Sequence, residues 1–275
     1  MKQNIKRILS NHPTYYIPII FLSILILISI IGPFITRDPN ATNVMNMNQS
    51  PSLEYLFGTD NLGRDYFARV IYGGRVSLLV GVLAMMTSVL IGTIIGLISG
   101  YYGGIIDTIC MRLVDVLSSI PWLVLVIVLS AILRPGLTTI ILVIGCFSWM
   151  NIARLVRAET LAAKNHDYVK YAKFINVKTV TILLRHILPI VLPTLIIAAT
   201  NAISSAIMVE SALSFLGMGI QPPMASWGNL LQNAQSLLQV APHMAILPGI
   251  FITLTVYSFN KLGDLVNTLV LREES

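Results

Sequence analysis

Asp60, Asn61, Gly63 and Asp65 gather oxygen donors around a glycine, as the start of a calcium loop does. Counted from Asp60, the position that would need a bidentate glutamate is Ile71, so the run predicts a turn and no calcium site. His12, His166, His186 and His243 are scattered, with no H-E-x-x-H and no pair on one helical face. Each is expected to be a structural donor rather than a metal ligand. Cys110 and Cys146 lie in or beside apolar runs without C-x-x-C spacing, and are read as free thiols, buried or facing lipid. G-x-x-x-x-G-K-[ST] is absent, so nothing here would cradle nucleotide phosphates. Neither G-x-S-x-G nor a mid-span Ser-Lys or Asp pair is present to support hydrolysis. No catalytic residue, cofactor or metal is expected.

The ionisable residues that fall near membrane depth are Asp107, Arg112, Asp115 and Glu210. Such groups are costly to bury and mark function by default. The plainer reading, and the one favoured, pairs Arg112 with Asp115, three apart on a helix near a membrane surface. Glu210 falls at the end of an apolar run, where it has a function or simply faces water.

These residues sit in a chain that is 55% hydrophobic and 11% charged over 275 residues, with a mean hydropathy of +0.79. That balance excludes an ordinary soluble domain and indicates a polytopic, all-α membrane protein. The net charge of +6 has no Lys/Arg run interleaved with aromatics, so nucleic acid is not an expected partner. Six segments reach spanning length, at roughly 15–35, 76–100, 113–133, 137–157, 186–208 and 246–266. The first follows Lys2, Lys6 and Arg7 but has no A-x-A-like site after it, and reads as a retained helix. The third and fourth are divided at Arg134-Pro135-Gly136.

Lys and Arg collect at both termini and between Arg154 and Arg185, whereas the loop 209–245 has none. The termini and the loop 158–185 are therefore expected in the cytoplasm. Residues 1–35 then form the N-terminus and first span, 36–75 an extracytoplasmic loop with turns around Gly58 to Arg64, and 76–275 a five-helix core. Gly92, Gly96 and Gly100, four apart, predict a close helix–helix contact. Pro189 and Pro193 predict a disturbance early in the fifth span. Within 158–185, a helical wheel from 159 to 175 puts Leu161, Asn165, Tyr168, Ala172 and Ile175 on one face. Glu159, His166, Asp167, Lys170 and Lys173 take the other. Asn176 is placed to end that amphipathic helix in the left-handed conformation.

Three blocks resemble the transmembrane permease subunits of ABC importers for dipeptides, oligopeptides and nickel. "LFGTDNLGRDYFARVIYGGRVSLLVG" (56–81) is similar to that family's G-T-D-x-L-G-R-D block. "ESALSFLGMGIQPPMASWG" (210–228) resembles its E-x-x-L-S-F-L-G block, and "YVKYAKFINVKTVTILLRHILP" (168–189) its cytoplasmic EAA loop. The resemblance implies a type I importer permease and half of a heterodimeric pathway. The implied partners are a second homologous permease, two cytoplasmic ATP-binding subunits and an extracytoplasmic solute-binding protein. It makes the loop helix a coupling element on the ATPase, carried here by Glu159, Tyr168, Lys170, Ala172, Phe174 and Asn176, so that Ala172→Arg would uncouple transport without removing the chain from the membrane. Where the family has E-A-A this chain has Lys170-Tyr171-Ala172, and Asn176 stands for Gly. The reversed charge implies a compensating acidic residue on the ATPase or different contacts. A short peptide is the leading solute, with nickel or a metal chelate the alternative. A secondary transporter or channel is the competing class, and a membrane enzyme a third.

Overall fold

The computed structural model describes residues 13–273, in which every regular element is helical. The charges of Lys2, Lys6 and Arg7, and His12, lie outside those residues. Helix α1 (Tyr16–Ile35) is apolar almost throughout and turns Ile17, Ile20, Leu27, Ile30 and Phe34 outward, as a lipid-facing helix does. The segment that follows is ordered by turns, with Gly58 and Gly63 in the left-handed region at φ 75° and 71°. Asp60 accepts from the amides of Leu62 and Arg64, pairs with Arg64 Nε at 2.7 Å, and lies 3.6 Å from Arg69 Nε. The carboxylate that suggested calcium is thus occupied by two buried arginines.

Helix α2 (Tyr66–Tyr102) starts at Tyr66 and not at 76, because Asp65 caps it through bonds to the amides of Phe67 and Ala68. Arg69 and Arg75 hide this first stretch from a hydropathy reading. At about 1.5 Å per residue its 37 residues extend about 55 Å, longer than a bilayer's hydrocarbon. It runs through the middle of the molecule, packed by four other long helices. Helix α3 (Gly104–Ser118) and α4 (Trp122–Ile132) replace the single third span expected at 113–133. Pro121, which lacks an N–H and clashes with a preceding turn, lies at the break. Helices long and apolar enough to cross a membrane therefore number five among the described residues, and α3 and α4, 15 and 11 residues long, are not among them.

Helices α5 (Leu137–Phe147) and α6 (Trp149–Ala163) form one run bent at Ser148. The separation from α4 falls at the expected place, with Arg134 at φ 58°. Helix α7 (Asp167–Phe174) and the single turn α8 (Thr179–Ile182) follow. A π-turn over Leu183–Ile187 leads into α9 (Leu188–Phe215). The helical run is continuous from Thr179 to Phe215, and the disturbance expected from Pro189 and Pro193 appears as the π-turn directly before Pro189, with Pro193 carried inside α9. Helix α10 (Trp227–Ala234) begins at a capping box between Ser226 and Asn229, and α11 (His243–Glu273) closes the bundle.

The glycine triplet does what its spacing predicts. A Cβ on Gly92 would lie 2.7 Å from Ile152 Cβ, on Gly96 2.7 Å from Val156 Cβ, and on Gly100 2.7 Å from Thr160 Cβ. Helices α2 and α6 run parallel at backbone contact along this seam. One core lies at the α7 end, where Val156, Val169, Ala172, Ile182 and Ile187 meet. Another lies at the opposite end, around Tyr66, Val70, Trp227, Leu230 and Met244.

Candidate functional site

Helix α6 ends at Ala163 and the chain turns through Lys164, Asn165 and His166, so the single helix expected over 159–175 is two. Lys164 Nζ is drawn to Gly100 O at 2.8 Å, which ties this turn to the end of α2. The break voids the wheel. Glu159 belongs to α6, where its Oε1 accepts from Thr194 Oγ1 of α9 at 3.2 Å, away from the α7 surface. In α7 the inward residues are Val169 and Ala172, 2% and 4% exposed. Ala172 is thus a core residue, and arginine there would disturb packing before it reached any partner. The outward surface is Tyr168, Lys170, Tyr171, Lys173 and Phe174, of which Phe174 is 82% exposed and Tyr171 64%. Tyr171 was read only as a departure from the E-A-A pattern and not as a surface residue, although its place one turn from Phe174 on a helix this short was the available signal.

Asn176 has φ 57°, and two bonds close the helix around it: Asn176 N to Lys173 O at 3.1 Å and Val177 N to Ala172 O at 3.0 Å. This is the Schellman arrangement, with Asn supplying the left-handed residue in place of glycine. Tyr168 stacks between His166 at 5.5 Å and His186 at 6.5 Å, which joins α7 to the π-turn at the foot of α9. Lys170 makes an exposed pair with Asp167 at 3.5 Å and stays in solvent.

A cleft of about 840 Å³ opens between the α3–α4 break, the α5–α6 run and α9. Trp122, Phe147 and Leu155 give it hydrocarbon walls, and Ser119, Asn151, Asn201 and Ser205 give it hydroxyls and carboxamides. Polar side chains inside apolar runs were the sequence signal for it, since such groups turn toward a cavity and away from lipid. The ionisable pairs differ from expectation. Asp115 takes Arg154 Nη2 at 3.0 Å and is not held by Arg112, while Asp107 takes Arg157 Nη2 at 2.6 Å. Both pairs join α3 to α6 in the register of antiparallel helices, which spacing along a single helix could not reveal. Glu210 does not face water. It is fully buried and accepts from Ser77 of α2 at 2.9 Å and Ser214 at 2.7 Å.

Residues 92–273 match the model of the family described as binding-protein-dependent transport system inner membrane component. The dipeptide transport system permease protein DppC of Bacillus subtilis is 42% identical over 88% of this chain and 77% of its own length. The oligopeptide transport system permease protein OppC of the same organism is 39% identical over 90% and 81%. The glutathione transport system permease protein GsiD of Pectobacterium atrosepticum is 41% identical over 79% and 72%. Among solved structures, a chain of the MetNI methionine ABC transporter in inward-facing conformation superposes with a TM-score of 0.60 at 19% identity, over 73% of this chain and 95% of that one. A chain of an amino acid ABC transporter gives 0.56 at 18% identity, over 73% and 93%. The all-helical fold is therefore that of ABC importer permeases, and the chain belongs to the binding-protein-dependent transport system inner membrane component family as a multi-pass transport subunit.

Proposed function

We propose that this chain forms half of the translocation pathway of an ATP-driven importer for short peptides. A second homologous permease supplies the other half, two ATP-binding subunits lie beneath α7 in the cytoplasm, and a solute-binding protein delivers cargo from outside. In this reading the protein resides in the cell membrane with both termini cytoplasmic, and ATP hydrolysis belongs to the separate subunits. The observation that carries it is α7: a helix too short to span, closed at its C-terminal end by Asn176, that turns Tyr168, Tyr171 and Phe174 away from its own chain. An exposed aromatic cluster among lysines suits a groove on another protein, and a secondary transporter or channel has no need of one. Short peptides are the solute class that the names of the relatives favour over nickel.

The importer cycle follows from how α7 is anchored. Motion imposed on α7 reaches α6 and α9 through Val169 and Ala172, which share a core with Val156 and Val191, and reaches the π-turn through the Tyr168–His186 stack. A packed element of this kind transmits displacement to the cleft walls, because close-packed cores shift between discrete arrangements. Reconstitution with the partner subunits in liposomes tests the reading. Dipeptide uptake should require ATP and stop with vanadate. Uptake that persists without nucleotide, or nickel uptake with none of peptide, would overturn it.

A further inference from the structure

Among the described residues the cleft has a single charged lining side chain, Arg154. It makes one hydrogen bond, from Nη2 to Asp115 Oδ1 at 3.0 Å, and the two side chains remain 44% and 57% exposed. A guanidinium has five N–H donors in a planar fork, so most of this one is unengaged. Tying α3 to α6 does not need it. The Asp107–Arg157 pair already does so with two bonds and less exposure, its side chains being 16% and 32% exposed. A pair as exposed as Arg154–Asp115 is held only weakly, so a second carboxylate can share or replace it.

We propose that Arg154 binds the C-terminal carboxylate of the peptide as it occupies the cleft, with Asp115 holding the guanidinium edge-on until cargo arrives. This rests on the peptide-importer reading. A carboxylate matches the fork with two parallel bonds, which a single hydroxyl or carboxamide cannot do. The remaining walls contribute only weak polar contacts and hydrocarbon, which suits cargo whose side chains vary while its terminal carboxylate does not. At about 840 Å³ the cleft lies within the roughly 300–1,000 Å³ of small-molecule sites.

The test uses the assembled transporter in lipid nanodiscs, with Cys110 and Cys146 changed to Ser and Ser205→Cys as a reporter on the cleft wall. Dialanine should slow maleimide labelling of the reporter, and its C-terminal amide should need about tenfold more ligand for equal protection. Arg154→Gln should abolish that preference and Asp115→Asn should keep it. Equal protection by the two ligands, protection by neither, or loss of the preference in Asp115→Asn to the same extent as in Arg154→Gln would overturn the assignment. ATP-driven dialanine uptake by the unsubstituted transporter is followed in parallel. If it is present while the labelling result fails, only this inference falls; if it is absent, the importer reading falls first.

Discussion

Glu210 is the residue whose surroundings most constrain what can be changed. Ser77 Oγ donates to it and accepts from Trp227 N at 3.3 Å, while Ser214 Oγ donates to it and accepts from Ile220 N at 3.1 Å. One carboxyl thus fixes α2, α9 and the entry to α10. Removing it strands hydroxyls and leaves a void, at a combined cost of about 2–4 kcal/mol. Glu210→Ala is expected to lower the melting temperature of the purified chain by about 5–15 °C, and Glu210→Gln, which keeps an acceptor, by much less. Scanning fluorimetry in detergent checks this, and equal melting of the two variants would contradict it. The Glu210–Ser214 spacing was visible in the sequence, but Ser77 comes from another helix and no local pattern announces it. Asn176 is the opposite case, because its left-handed conformation is a property of one residue at a helix end and could be read directly.

At the scale of elements, the α2–α6 seam tolerates no added atoms. Gly96→Ala would press a methyl to 2.7 Å from Ala153 O and Val156 Cβ, and overpacking of this kind costs about 1–3 kcal/mol. Gly249→Ala, in α11 with nothing within 4 Å, is expected to be neutral or mildly stabilising through helix propensity. Comparing the melting of the two variants separates seam packing from a general effect of adding a methyl to a glycine. The seam was legible because four-residue spacing of glycine has one geometric meaning in a helix. The α6–α7 division was not. Lys164-Asn165-His166 contains neither proline nor glycine, and the chain leaves the helical conformation at His166, whose φ of -64° and ψ of 143° are extended, while Lys164 is bonded to the backbone of α2. That is also why Glu159 and Ala172 were assigned to a surface they do not occupy, and the α3–α4 break at Ser119 to Pro121 went unread because the mostly apolar residues on its two sides together reach spanning length.

For the molecule as a whole, the exposed aromatics of α7 and its buried side should respond oppositely to substitution. Tyr171→Asp with Phe174→Asp changes only solvent-facing positions, so the membrane content of the chain should be unchanged while ATP-driven dipeptide uptake falls at least about tenfold. Ala172→Arg instead forces a charge among Val169 and Ile182 and should reduce the amount of folded chain. Immunoblotting of membranes beside transport assays distinguishes the two, and normal uptake by the double aspartate variant would remove α7 from the coupling path. The end of the bundle opposite α7 has a different consequence. Tyr66 donates its hydroxyl to Met244 O, and the Trp227 indole N–H donates to Val70 O while the ring lies against Gly74. Residues near the beginning of α2 are therefore completed by residues made some 160 to 180 positions later, so that a nascent chain still on the ribosome can insert α2 but cannot close it. A chain cut short before Trp227 would leave Val70 O without its indole partner and Gly74 uncovered, an open slot along α2.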